Sequence, residues 1–149
     1  MSFLELLLRI WNGFLRRNVW EFSPDDPITS FLQHTSQFSR TRKRVKSGIF
    51  LPRPNTKAAG RLETSVFLIS NLSESQIWRI GEIYVAKKIR TIHGRADLPA
   101  SAVEKAMLTL VLNNIPPRHA NILGWPPEKD SQKELALELA EKSELRLHA

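Results

Sequence analysis

The chain has no cysteine, so neither a disulfide framework nor a thiolate zinc site can contribute to its fold or chemistry. A cytoplasmic location is the expectation that best fits a chain without thiols. No apolar run approaches the roughly 18 uninterrupted residues that a bilayer span requires. A phosphate loop ending in Lys-Ser or Lys-Thr is missing, as are G-x-G-x-x-G, G-x-S-x-G and H-E-x-x-H. Classical ATPases, dehydrogenases, serine hydrolases and zincins are therefore poor matches. Internal repeats and low-complexity segments are also lacking. The last absence is local: from Arg40 to Arg61 there is no acidic residue.

That stretch holds Arg40, Arg42, Lys43, Arg44, Lys46, Arg53, Lys57 and Arg61, against a formal net charge of +7 for the whole chain. Like charges gathered in one place repel each other, so such a field usually marks an anionic partner. The expected partner is nucleic acid or nucleotide phosphate, with Arg40, Arg42, Lys43, Arg44 and Lys46 as backbone contacts. Arg40, Arg42, Arg44 and Lys46 would share one side of an extended segment, which also suits a plainer role as an edge kept charged against edge-to-edge pairing. Aromatic residues for base stacking are few here, with only Phe38 and Phe50 flanking the run. Neither a ribonucleoprotein-type aromatic motif nor a helix-turn-helix signature is present.

A length of 149 residues suits one domain, and 42% hydrophobic with 25% charged residues is ordinary for a globular chain. Helix and strand patterns alternate without regular βαβ units, which predicts an α+β fold with a short mixed sheet packed by helices. Three parts are expected: an amphipathic N-terminal helix over 1–22, a connector over 23–39 and a basic α+β domain over 40–149. In the first part, Glu5, Arg9, Asn12 and Arg16 fall on one narrow face, with Phe3, Leu7, Trp11 and Phe14 among the apolar residues around the remainder. Glu5 and Arg9 interrupt the apolar run and argue against a cleaved signal peptide. The wide apolar face would dock on the protein's own core, on a protein partner or on a second copy. A membrane surface, with Trp11 and Trp20 at headgroup level, is the least favoured of these.

Along the chain, Ser23 to Pro27 reads as a turn and then a helix start, Ile49 to Pro52 as a short strand and Arg53 to Leu62 as a loop. Thr64 to Ile69 has the β-branched, apolar character of a buried strand. Ser73 and Gln76 make a capping box for a helix reaching about Lys88, and Pro99 with Ser101 opens a short helix to about Ala106. Leu108–Leu112 reads as a strand, Pro127–Lys142 as a helix and Ser143–His148 as a terminal strand.

Two segments could carry chemistry. If Thr91 to Leu98 is extended, Ile92, Gly94, Ala96 and Leu98 point one way and His93, Arg95 and Asp97 the other. The double proline at Pro116-Pro117 forces an extended entry to a strand that sets His119 and Asn121 opposite Ala120 and Ile122. Placed side by side, the two strands would gather two histidines, two arginines, an aspartate and an asparagine. Arg95 and Arg118 would hold phosphate, while His119 would act as acid or base with His93 or Asp97 assisting. This set defines an alternative reading: a small enzyme, free of metal and cofactor, acting on a nucleotide, an NAD-like dinucleotide or an RNA end. Structural roles are open too, with Asp97 pairing to Arg95 and His119 as a surface sheet residue. Zinc suits His93, His119 and Asp97 less well, because no short His-x-x-x-His spacing supports it.

From Arg40 onward the chain resembles a group of small prokaryotic proteins. The resemblance rests on Arg42 to Lys46, Phe50-Leu51-Pro52, Ser65-Val66-Phe67 and the run Pro117-Arg118-His119-Ala120-Asn121-Ile122 that ends in Gly124-Trp125-Pro126. It implies a shared fold and a shared site at His119, and carries no substrate. The leading expectation is thus a small basic protein that binds RNA or DNA backbone as an accessory subunit of a larger bacterial nucleoprotein or antiviral defence assembly. A structural adaptor docking through the N-terminal helix is the third reading.

Overall fold

A computed structural model describes residues 2–7, 21–86 and 91–148. Residues 3–7 are helical, with Phe3, Leu4, Leu6 and Leu7 exposed. The rest of the expected N-terminal helix, including Trp11, Arg16, Arg17 and Trp20, lies outside the described residues. So does the predicted end of the second helix at Lys88.

The chain forms strands β1 (Pro27–Leu32), β2 (Phe38–Ser39), β3 (Arg44–Val45), β4 (Arg53–Asn55) and β5 (Arg61–Leu68), then helix α1 (Glu74–Ile80) and strand β6 (Gly94–Pro99). Helix α2 (Ala100–Lys105), β7 (Thr109–Leu112), β8 (His119–Leu123), α3 (Lys129–Glu141) and β9 (Glu144–Leu147) complete an α+β fold. The main sheet runs β7-β8-β5-β1-β6-β9, with β4 added to β5, and β2-β3 is a separate hairpin. All of these pairings are antiparallel, so the expected mixed sheet is corrected.

Period-two alternation divides the sheet between two cores. Ile28, Leu32, Val66, Leu68, Ala96, Leu98, Ala120 and Ile122 face the larger one, which α2, α3 and the Ser47–Phe50 turn close. Phe31 and Phe67 face a second core with Ile77 and Ile80 of α1 and Ile92. The capping box forms as predicted: Ser73 Oγ accepts from the Gln76 N–H at 3.2 Å, and Gln76 Oε1 accepts from the Ser73 N–H at 2.9 Å. Beyond Ile80 the helix widens into a π turn, Gly81–Ala86. A Cβ at Gly81 would lie 2.6 Å from the Phe31 ring, so this close approach to β1 needs glycine.

Several expectations are corrected here. Pro27–Leu32, expected inside a connector after a helix start, is the central strand β1. A strand buried on both faces shows little polar alternation, which is why its pattern does not announce it. Ser47–Phe50 is a 3-10 turn that drives Phe50 fully into the larger core, where a strand was expected. Arg53–Leu62 is an ordered β4–β5 connection rather than a loop, reversed by Ala59 (φ 55°) and Gly60 (φ 76°). Ile92 packs in the second core instead of beside Gly94, Ala96 and Leu98, because β6 begins only at Gly94. No helix among the described residues is long and apolar enough to cross a membrane.

Candidate functional site

The basic run is built on the β2–β3 hairpin. Phe38 pairs with Val45 and Ser39 with Arg44, and the buried Phe38 and Val45 side chains anchor the hairpin to the larger core. Ser39 Oγ accepts from the Arg42 N–H at 3.2 Å and Lys43 takes a left-handed conformation (φ 53°), closing the loop Arg40–Lys43. Lys46 N–H donates to the Gln37 carbonyl at 2.8 Å and fixes the base of the hairpin. Arg40, Arg42, Arg44 and Lys46 therefore ride a tight turn and its flank, not one side of a continuous extended segment. All are exposed, as are Lys43, Arg53 and Lys57.

Two cations of the run are partly engaged. The Arg40 guanidinium lies 5.7 Å from the centre of the Phe38 ring. Arg61 Nε donates to Glu63 Oε1 at 2.9 Å and holds the Glu63 carboxyl below the ordinary carboxylate range. The other six, Arg42, Lys43, Arg44, Lys46, Arg53 and Lys57, make no ion pair among the described residues.

Arg95 has a different setting. It is 1% exposed; its Nε donates to both Asp97 oxygens at 3.0 and 3.1 Å, and its Nη atoms donate to the two Glu74 oxygens at 2.8 and 2.9 Å. Its guanidinium also lies 4.6 Å from the centre of the Trp78 ring, and that ring stacks on His148 at 4.3 Å. Burial opposes the Arg95 charge, but hydrogen bonds to Glu74 and Asp97 outweigh it and raise its pKa further. Thr29 Oγ1 donates to Asp97 at 2.6 Å. This is an ionic lock between α1 and β6 centred on a buried guanidinium, whose donors face its two carboxylates; Glu74 itself stays half exposed and also accepts from Arg146 Nη2 at 3.1 Å. Glu74 and Trp78 were not picked out from sequence; they lie on a separate helix, and no local spacing links them to Arg95.

Arg118 is also buried, with a left-handed backbone (φ 73°) and Nη1 donating to the Ser70 carbonyl at 2.6 Å. Burial lowers its pKa, and the charge of Asp26 partly offsets this. His119 Nδ1 lies 2.8 Å from Asn113 Oδ1, and its ring meets Phe67 edge-on at 5.4 Å. His119 and Asn121 share a sheet face opposite Ala120 and Ile122, as the alternation predicts.

The strand order separates the two histidine segments. His119 pairs with Phe67, Phe67 with Thr29 and Thr29 with Asp97, so His119 and Asp97 share a cross-strand row with two strands between them. Three strand spacings put them about 14 Å apart. His93 lies beyond the other end of β6, its N–H donating to the Leu32 carbonyl. The structure brings Arg95 and Asp97 together as an ion pair and sets both apart from His119. Among the described residues, no three histidine or acidic side chains gather as a metal site would need.

No family model matches the chain, and no curated protein or solved structure matches it either.

Burial holds the His119 imidazole below its ordinary pKa of 6.5, and the charge of Glu63 only partly opposes this. The folded protein thus favours the neutral ring, while the unfolded chain protonates near 6.5. The stability this residue supports is complete above that value and is lost as the pH falls through it, with the slope of at most one proton. Urea unfolding at pH 7.5 and pH 5.5 should show the loss, and His119→Gln should reduce it. An equal loss in that variant would show that burial of His119 is not responsible.

Proposed function

We propose that this protein binds the sugar-phosphate backbone of nucleic acid through the β2–β3 hairpin and the β4 turn that follows. The observation that carries this reading is the group of six exposed cations, from Arg42 to Lys57, with no ion pair among the described residues. An isolated phosphate needs only two or three such donors, whereas cations spread along a hairpin and a second turn suit a polymer of phosphates. Between Arg40 and Arg61 no large hydrophobic side chain is exposed that could enter a bilayer, which favours nucleic acid over an acidic lipid surface. The exposed Phe3, Leu4, Leu6 and Leu7 support a second contact, with a protein partner in a larger bacterial nucleoprotein assembly.

A salt titration tests the reading. With at least three of the six cations engaged, log affinity for single-stranded nucleic acid falls against log salt with a slope of about −2 or steeper. A slope shallower than about −1 would mean that the cations do not neutralise phosphates, and the proposal would fail.

A further inference from the structure

The sheet has a gap beside the basic run. β1 pairs with β5 only at Ile28–Leu68 and Thr29–Phe67, although β1 continues along β6 as far as Leu32 and β5 continues along β8 back to Thr64. Further back, β5 takes β4 as its partner at Arg61 to Glu63. The Ile69 N–H donates to the Pro27 carbonyl, so bonded pairs along β1 and β5 alternate through Thr29–Phe67, and the next would be Phe31 with Ser65. That pair is not formed. The main-chain donors and acceptors of Phe31 and Ser65 are left directed into a cleft of about 250 Å³ between the strands.

The cleft walls carry further groups suited to a planar ligand. Ser65 is exposed, and Gln37 uses its Oε1 to accept from the Gln33 and His34 N–H groups, which leaves its amide Nε2 as a donor. Arg53 stands at the cleft without an ion pair among the described residues. The one acid in the lining, Glu63, is neutralised by Arg61, so it does not repel a phosphate. Phe31, Phe67 and Val85 supply apolar wall. A nucleobase offers what such a cleft can match: a thin apolar body with alternating donors and acceptors around its edge.

We infer that this cleft receives one unpaired nucleobase of the strand bound by the hairpin, with Ser65, Gln37 and the open strand edges meeting the base and Arg53 meeting its phosphate. The inference rests on the backbone-binding reading and adds a preference to it: single strands that carry bases over strands that lack them. Gln37 and Gly48 line the cleft and flank the hairpin in sequence, so one strand can reach both.

Fluorescence anisotropy with a labelled oligodeoxythymidine of about 12 nucleotides, and an abasic strand of equal length at the same salt, tests this. The base-bearing strand should bind about tenfold more tightly, in line with the effect of one base contact. Ser65→Trp, which fills the cleft from an exposed position, should bring the two affinities together while the salt slope stays unchanged. Ser65→Ala, which removes only the hydroxyl, should narrow the ratio without disturbing the thermal unfolding midpoint. Equal binding of both strands by the native protein with a steep salt slope would overturn the cleft assignment and leave backbone binding intact. A native preference that Ser65→Trp and Ser65→Ala leave unchanged would overturn the assignment as well. Failure to bind either strand would overturn both readings.

Discussion

Replacing three hairpin cations together, as Arg42→Gln, Lys43→Asn and Arg44→Gln, should weaken single-stranded nucleic-acid binding about a hundredfold at 0.1 M salt. Each phosphate neutralised on a single strand contributes about 0.7 to the salt slope, so three lost contacts amount to roughly two decades between 1 M and 0.1 M. Asparagine is chosen at position 43 because Lys43 is left-handed (φ 53°) and asparagine tolerates that region better than most residues. Phe38 and Val45, which anchor the hairpin, are untouched, and removing mutually repelling charges should leave folding stability unchanged or slightly higher. Lys105→Gln, an exposed cation on α2, serves as the control and should leave affinity within about twofold. Affinity measured by anisotropy at two salt concentrations decides the matter. If the triple variant keeps both the affinity and the slope of the native protein, these cations only keep a surface charged.

Much of the fold could be read from local chemistry. The capping box at Ser73 and Gln76 starts α1, Pro99 precedes α2, and the alternation of Ala120 and Ile122 against His119 and Asn121 is that of β8. What could not be read depends on contacts between distant parts of the chain. β1 is buried on both faces and carries no alternation, so its central place appears only once β5 and β6 flank it. The turn at Ser47–Phe50 is held by burial of Phe50, and Thr64 Oγ1 donates to the Phe50 carbonyl at 2.8 Å from a different strand.

The same limit applies to the candidate site. The cationic character of Arg40 to Arg61 is a property of composition, and exposure preserves it in the fold. Which histidines and arginines share a pocket depends on strand order, and β5 and β1 lie between the two segments. The cleft could not be read at all, because it exists where two strands fail to pair.

The remaining large effect concerns stability. Arg95→Met should destabilise the protein by about 3 kcal/mol, because removing one partner of a buried ion pair strands the other. Asp97, whose side chain is 17% exposed, would keep only its bond from Thr29. Glu74, at 56% exposed, would regain water and contribute less to the loss. For a chain of this size the change corresponds to a fall in the unfolding midpoint of roughly 6 to 12 °C. Glu74→Gln should cost only about 1 kcal/mol, because the glutamine carbonyl can still accept one of the Arg95 bonds and Asp97 still balances the guanidinium charge. Arg95→Lys should not restore stability, since a single ammonium cannot span Glu74 and Asp97 or lie flat against Trp78 as the guanidinium does. Glu74 is held below its ordinary carboxylate pKa by the hydrogen bond from Arg95, so its share of stability is present above about pH 4.5 and is lost as the pH falls below that. The pH dependence separates this structural role from an anion-binding one. Thermal melts of native protein and Arg95→Met should converge as the pH drops below the carboxylate range, while nucleic-acid affinity per folded molecule should be the same for native protein and Arg95→Lys. If Arg95→Lys instead lost affinity at unchanged stability, Arg95 would be a ligand contact and the ionic lock would be the wrong account of it.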